Sequence, residues 1–357
     1  MAIKSKELAK KLGVSEATLS LVLNHKAGIS KSTRERVTNQ VISFGYGYMF
    51  KNQQEKDVEP IAAIEAENTD KGNIGFVVYK DTGLFMDNNP FFPLIIDGMD
   101  MTARKNGFRL IVINIRRDMD IKTKLGYIKE SRCAGYVVYA PELPEDDVDA
   151  LIGLNIPFVL LDNYFPGKAI DAVTLNNDQG IYIILKMLIE KGHRRIGYLG
   201  SGVNIQSFGE RKDSFEKYMK QFGLHIEPHY YIDIGYPETE AERGMDGLIS
   251  GRKDLPTAFI TDNDFVAYGA IRALKKNGFD VPKDVSVVGF SDRPVCMYIE
   301  PNITTVRIPR FRFGGEAVDI LINKIIYKPY DEVSVVKTEV SLDLIMRDSV
   351  ADVNEDF

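Results

Sequence analysis

The sequence predicts an α/β protein: a small helical head followed by a two-lobed, doubly wound body. Three observations carry this expectation. Residues 4–44 read as short helices. From Asn73 onward, short β-branched or aromatic runs alternate with amphipathic segments, the rhythm of parallel strands joined by crossover helices. These runs are too many for one small sheet, so two lobes are expected, with a cleft where the strand C-termini meet.

With 357 residues the chain is long enough for two or three domains. Its 44% hydrophobic and 27% charged residues are ordinary globular usage and exclude a disordered or fibrous chain. No apolar run approaches the roughly 20 residues of a spanning helix, and the N-terminus lacks a signal-peptide stretch, so a cytoplasmic protein without a membrane partner is expected. Cys133 and Cys296 belong to no Cys-x-x-Cys pair and read as reduced packing residues. The net charge of −6 hides an asymmetry, because residues 1–51 hold nine Lys or Arg against three Glu. A basic module on an acidic body either meets a polyanion or is a solvated basic surface.

Within the head, Leu8, Ala9 and Leu12 line one face of a first helix, and Gly13 allows a tight turn. Ser15 is placed to cap a second helix, whose Leu19, Val22 and Leu23 face inward. A third helix, capped by Ser30, runs from Lys31 to Phe44. This is a helix-turn-helix over residues 1–47, or else an ordinary three-helix bundle whose polar residues are caps. As a DNA reader its second helix offers Glu16, Ala17 and Leu21 to base edges. Ser15, Thr18, Ser20, Asn24 and Ser30 are donors suited to phosphates. Residues 48–72 read as a charged linker. In the body, strands are expected at Ile74–Tyr79, Arg109–Asn114, Gly135–Tyr139, Pro157–Leu161, Arg195–Leu199, Ala258–Thr261 and Val285–Phe290. A late strand is expected around Val340–Met346, and helices are expected up to Asn106 and at Gln179–Lys191.

The run from Leu8 to Asn24, with Ile29-Ser-x-x-Thr-Arg-x-Arg-Val37 and Gly45-Tyr46, resembles the DNA-binding head of the LacI/GalR family of bacterial transcriptional regulators. Stretches 89–92, 156–162, 188–198, 257–269, 281–290, 301–306 and 344–349 resemble the same family in order along the body. The resemblance implies a periplasmic-binding-protein-like (type I) body. Its N-terminal lobe would be 73–175 with 308–335, and its C-terminal lobe 176–307 with 336–357. Three crossovers would fall near Leu175–Asn176, Arg307–Ile308 and Ser334–Lys337. It also implies a homodimer on a near-palindromic DNA operator, a carbohydrate-like effector in the cleft, and lobe rotation coupling the two.

Two departures qualify the analogy. Leu21 stands where relatives commonly carry an Arg, so an Arg–guanine contact is replaced by apolar contact with a thymine methyl. After Gly45-Tyr46 no family hinge motif is readable, and Ile61–Ile64 forms either a short helix or part of a plain tether. By the resemblance, Arg211 is the ligand-binding arginine and Asn263 the ligand-binding amide, although Asn263 also reads as a helix N-cap. Phe91 and Phe92 fall where rings line the cleft, one of them being core. Asp162 and Tyr236 lie at strand ends, and Ser291 replaces a common ligand-binding Asp, with Asp292 beside it.

The competing readings are an α/β enzyme and a sugar-binding protein without a DNA role. No dinucleotide fingerprint, phosphate loop or nucleophile elbow occurs, so no catalytic residues and no cofactor are expected. His225 and His229 are separated by a helix-breaking Pro228, which argues against a metal site, and His193 reads as a structural turn residue.

Overall fold

In this computed structural model the described residues are 8–9, 12, 14–23, 28–29, 33, 37, 70–80, 92–116, 118–250, 254–326 and 335–353. The chain divides into two units, Met1–Glu65 and Ala66–Phe357, each described by itself.

In the first unit, helix α1 (Glu16–Leu23) begins at Ser15, whose Oγ accepts from the Thr18 amide at 3.0 Å. Glu16 in the first turn complements the helix dipole. Leu19, Val22 and Leu23 recur at helical spacing and are buried with Leu8, Ala9, Leu12 and Val37 in one small core. Leu8 and Ala9 lie in helical backbone with a turn at Leu12, as the helix-turn-helix pattern requires.

The second unit contains two six-stranded sheets. Its first sheet holds β1 (Asn73–Lys80), β2 (Arg109–Arg116), β3 (Tyr136–Tyr139), β4 (Phe158–Leu161), β5 (Asp171–Leu175) and, late in the chain, β11 (Lys337–Val340). They lie in the order β11-β5-β4-β3-β1-β2, with every pairing parallel. Residues 74–79 are buried without alternation because crossover helices cover both faces. Those packed on this lobe are α2 (Phe92–Lys105), α3 (Ile121–Glu130), α4 (Glu145–Ile152) and α9 (Arg310–Ile326). Helices α2 and α9 cross very closely: a Cβ added at Gly98 would stand 1.9 Å from the Phe311 carbonyl oxygen.

The second sheet repeats the plan with β6 (Ile196–Gly200), β7 (Tyr231–Asp233), β8 (Ala258–Thr261), β9 (Ser286–Ser291), β10 (Thr304–Arg307) and β12 (Asp343–Ile345). The order is β12-β10-β9-β8-β6-β7, and β12 alone runs antiparallel to its neighbour. Its helices are α5 (Asn177–Glu190), α6 (Gln206–Gln221), α7 (Glu238–Ile249) and α8 (Asp264–Lys276).

The chain passes between lobes at Asn176, at Ile308–Pro309 and at Ser341–Leu342. The third passage corrects the expected position at 334–337 and the assignment of 336–340 to the C-terminal lobe. Instead of one strand around Val340–Met346, two short strands form in different sheets. Residues 337–340 extend the first sheet beside β5, and only then does the chain cross. The first and third passages are tied together, since the Asn176 amide donates to the Val340 carbonyl and the Leu342 amide to Gln179 Oε1, both at 3.0 Å. Strands β5, β7 and β10 are three to five residues long, too short to announce themselves, and owe their conformation to the neighbours that pair with them.

Among the described residues no helix is long and apolar enough to cross a membrane, and no group of three His, Cys, Asp or Glu could hold a metal ion. Cys133 and Cys296 are buried and unbridged. His193 is buried, its ring nitrogens bonded to Thr257 Oγ1 at 2.9 Å and the Ala351 carbonyl at 3.1 Å, and burial lowers its pKa.

Candidate functional site

The loops that follow the strand C-termini bring side chains of both lobes into one buried cluster. From the first lobe comes Asp162, just beyond β4, in left-handed backbone at φ 66° and only 6% exposed. Tyr139, at the end of the adjacent β3, donates its hydroxyl to Asp162 Oδ2 at 3.3 Å. Phe92, half-buried at the start of α2, packs edge-on against Tyr139 with centroids 5.1 Å apart, and also against the core ring of Phe76. Burial pushes the Asp162 carboxyl up to about 7, against the pull of Arg211 from the other lobe.

Arg211 reaches the cluster from α6 and is 3% exposed. Its Nε donates to Asn177 Oδ1 at 2.9 Å and its Nη1 to the Asp262 carbonyl at 2.5 Å, while the guanidinium lies 3.7 Å from the Phe290 ring centre. Burial lowers its pKa. Asp262 is engaged by its own lobe, accepting from the Tyr198 hydroxyl and from the amide and hydroxyl of Ser201.

Asn263 does what the capping reading predicted: Oδ1 accepts from the Phe265 and Val266 amides at 2.9 and 3.2 Å and starts α8. Its Nδ2, however, is buried without a hydrogen-bond partner among the described residues. A buried amide left so costs about 1–3 kcal/mol unless something else satisfies it.

Ser291 ends β9, buried, at φ 117°, and its carbonyl accepts from Arg310 Nη2 at 2.6 Å. Asp292 does not replace a ligand-facing carboxylate. Burial would raise it, but hydrogen bonds from Arg347 and Arg307 outweigh that and hold it below the usual range. Tyr236 lies edge-on to Phe265 at 6.3 Å and hydrogen-bonds Arg293, and burial raises its hydroxyl pKa. Arg293, Tyr139 and Asp262 carry no sequence signal of their own, and they join the cluster because Arg293 follows β9 and Tyr139 ends β3. Phe91 lies outside the described residues.

On α1, Glu16, Ala17 and Ser20 are exposed, and Thr18 and Leu21 are half-buried. Ser15 and Thr18 bond each other's hydroxyls at 2.9 Å, so both serve the cap as well as the surface. Asn24 and Ser30 lie outside the described residues.

A helix-turn-helix in one unit and, in the other, two lobes meeting over buried arginine, amide and carboxylate groups define a class: a DNA-binding regulator that carries a small-molecule receptor. Comparison with known proteins agrees. Residues 5–47 match the model of the bacterial regulatory proteins of the lacI family, and residues 185–350 match the periplasmic binding protein-like domain. The HTH-type transcriptional repressor PurR of Haemophilus influenzae is 29% identical over 347 residues, covering 97% of this chain and 98% of its own. A solved complex of the transcriptional regulator CelR with cellobiose superposes with a TM-score of 0.69 at 22% identity, covering 98% of this chain and all of that one. The lac repressor dimer bound to operator gives 0.65 at 19% identity, with the same coverage. The chain belongs to the lacI family of bacterial regulatory proteins; it is a transcriptional regulator, not an enzyme.

Proposed function

We propose that this protein is a cytoplasmic repressor that binds a near-palindromic DNA operator as a homodimer, with its operator affinity set by a carbohydrate-like effector in the interlobe cleft. The observation that carries this reading is the buried cross-lobe cluster. Asp162 and Tyr139 of one lobe stand within electrostatic reach of Arg211 and Arg293 of the other, and the Asn263 amide is left with an unsatisfied donor. A ligand that bridges the lobes changes the free energy of their closure, which is what coupling to DNA affinity needs. The cellobiose carried by the CelR complex and the operator carried by the lac repressor dimer support the two halves of the reading. On α1, Glu16, Ala17 and Leu21 form the surface offered to bases, with Ser15, Thr18 and Ser20 as donors to phosphates.

The test is fluorescence anisotropy of the full-length protein against inverted-repeat duplexes selected from a random pool, with and without a carbohydrate panel. Selection of a two-fold site whose affinity changes with a carbohydrate is expected. Log affinity should fall with log salt by about 0.9 per phosphate contacted. Equal affinity for selected and random duplexes, unchanged by every carbohydrate, would overturn the reading.

A further inference from the structure

The second lobe spends its carboxylates on itself. Asp262 is saturated by Tyr198 and Ser201. Asp264 takes the Thr305 hydroxyl at 2.6 Å and the Arg293 amide at 2.7 Å, and Asp292 takes Arg307 and Arg347. What remains toward the first lobe is made of donors. Arg211 is bonded to two neutral oxygens, a side-chain amide and a backbone carbonyl, and its charge is therefore not cancelled by a direct carboxylate partner. Arg293, 3% exposed, hydrogen-bonds Tyr236 and lies with its guanidinium 4.9 Å from the ring centre of Phe265, two residues after Asn263, whose amide nitrogen has no partner among the described residues.

We propose that the cleft takes a carbohydrate bearing an anionic oxygen group, a carboxylate or a phosphate, held between Arg211, Arg293 and Asn263 Nδ2. The proposal rests on reading the cleft as the effector site and names the class of effector. A neutral sugar hydroxyl both donates and accepts, so it needs protein acceptors, and here these are engaged within their own lobe. An anionic oxygen only accepts, and guanidinium groups held against aromatic faces offer it directional, charge-assisted bonds at little cost in reorganisation. The same ligand oxygen would satisfy the Asn263 amide. Asp162 does not oppose it, because burial already favours the protonated carboxyl, which can donate.

The experiment is a thermal-shift and calorimetric comparison on the full-length protein, using D-gluconate, D-glucuronate and D-glucose 6-phosphate against D-glucose and cellobiose. At least one anionic sugar should raise the melting temperature and bind about 10- to 100-fold tighter than the neutral ones, and the arm that does so distinguishes carboxylate from phosphate. Asn263→Asp keeps the capping oxygen but replaces the donor with a negative charge. It should abolish the anionic ligand's shift and also lower the ligand-free melting temperature, because it buries a further carboxylate beside Asp262 and Asp264. Arg293→Gln should weaken the same ligand, with Arg293→Lys intermediate. Binding of the neutral sugars but none of the anionic ones would overturn the proposal and leave the cleft reading standing. Failure of all five would overturn both.

Discussion

Replacing Asp162 by asparagine should flatten the pH dependence of the protein's stability. The carboxyl is fully desolvated between the lobes, and its pKa moves from 3.8 up to about 7. Because the folded state holds the proton more tightly than the unfolded one, the stability this group contributes is present in acid and is lost as pH rises from about 4 to about 7. At 1.36 kcal/mol per unit the whole shift corresponds to roughly 4 kcal/mol, more than half of which falls between pH 5 and pH 8. Asparagine is nearly isosteric, does not ionise, and tolerates the left-handed backbone at φ 66° as well as aspartate does. Urea unfolding followed by circular dichroism and tyrosine emission, the chain having no tryptophan, measures the effect at the two pH values. The parent should lose about 2–3 kcal/mol more than the variant over that interval, with the titrating groups away from the cluster cancelling in the difference. Identical slopes for the two proteins would refute the claim that Asp162 is buried in a closed cleft.

Three further outcomes are expected. Arg211→Ala removes the donors at the centre of the cluster, so effector binding should weaken by about 10- to 100-fold while DNA affinity without effector stays near that of the parent; calorimetry and anisotropy together read both. Leu19→Ala empties the middle of the small head core and should cost about 2–5 kcal/mol there, abolishing operator binding while effector binding to the body persists. Gly98→Ala drives a methyl onto the Phe311 carbonyl at the α2–α9 crossing, and the body's melting transition should report about 1–3 kcal/mol of destabilisation, whereas Gly126→Ala in α3, where an added Cβ meets nothing within 4 Å, should not.

Much of this was readable before any coordinates. The head is a local object: its Ser15 cap, the spacing of Leu19, Val22 and Leu23 and the small Ala9 all lie within a short stretch, where residues three or four apart decide helix and face. The buried strands of both sheets carry their β-branched runs openly, whereas Arg211 and Asn263 are singled out by the family resemblance of the stretches that hold them and Asp162 by its place at the end of a strand.

The sequence by itself therefore determined the longer strands and helices, their alternation, and the division into a basic head and an acidic two-lobed body, because those follow from periodicity and charge within short windows. Only the tertiary structure decided that the third passage lies after Val340, that Asp292 is consumed by Arg307 and Arg347, and that Tyr139 and Arg293, more than 150 residues apart, come within reach of one another. Short strands exist because their neighbours pair with them. The charge state of Asp162 is likewise set by how much water the facing lobe excludes, a quantity no local window contains.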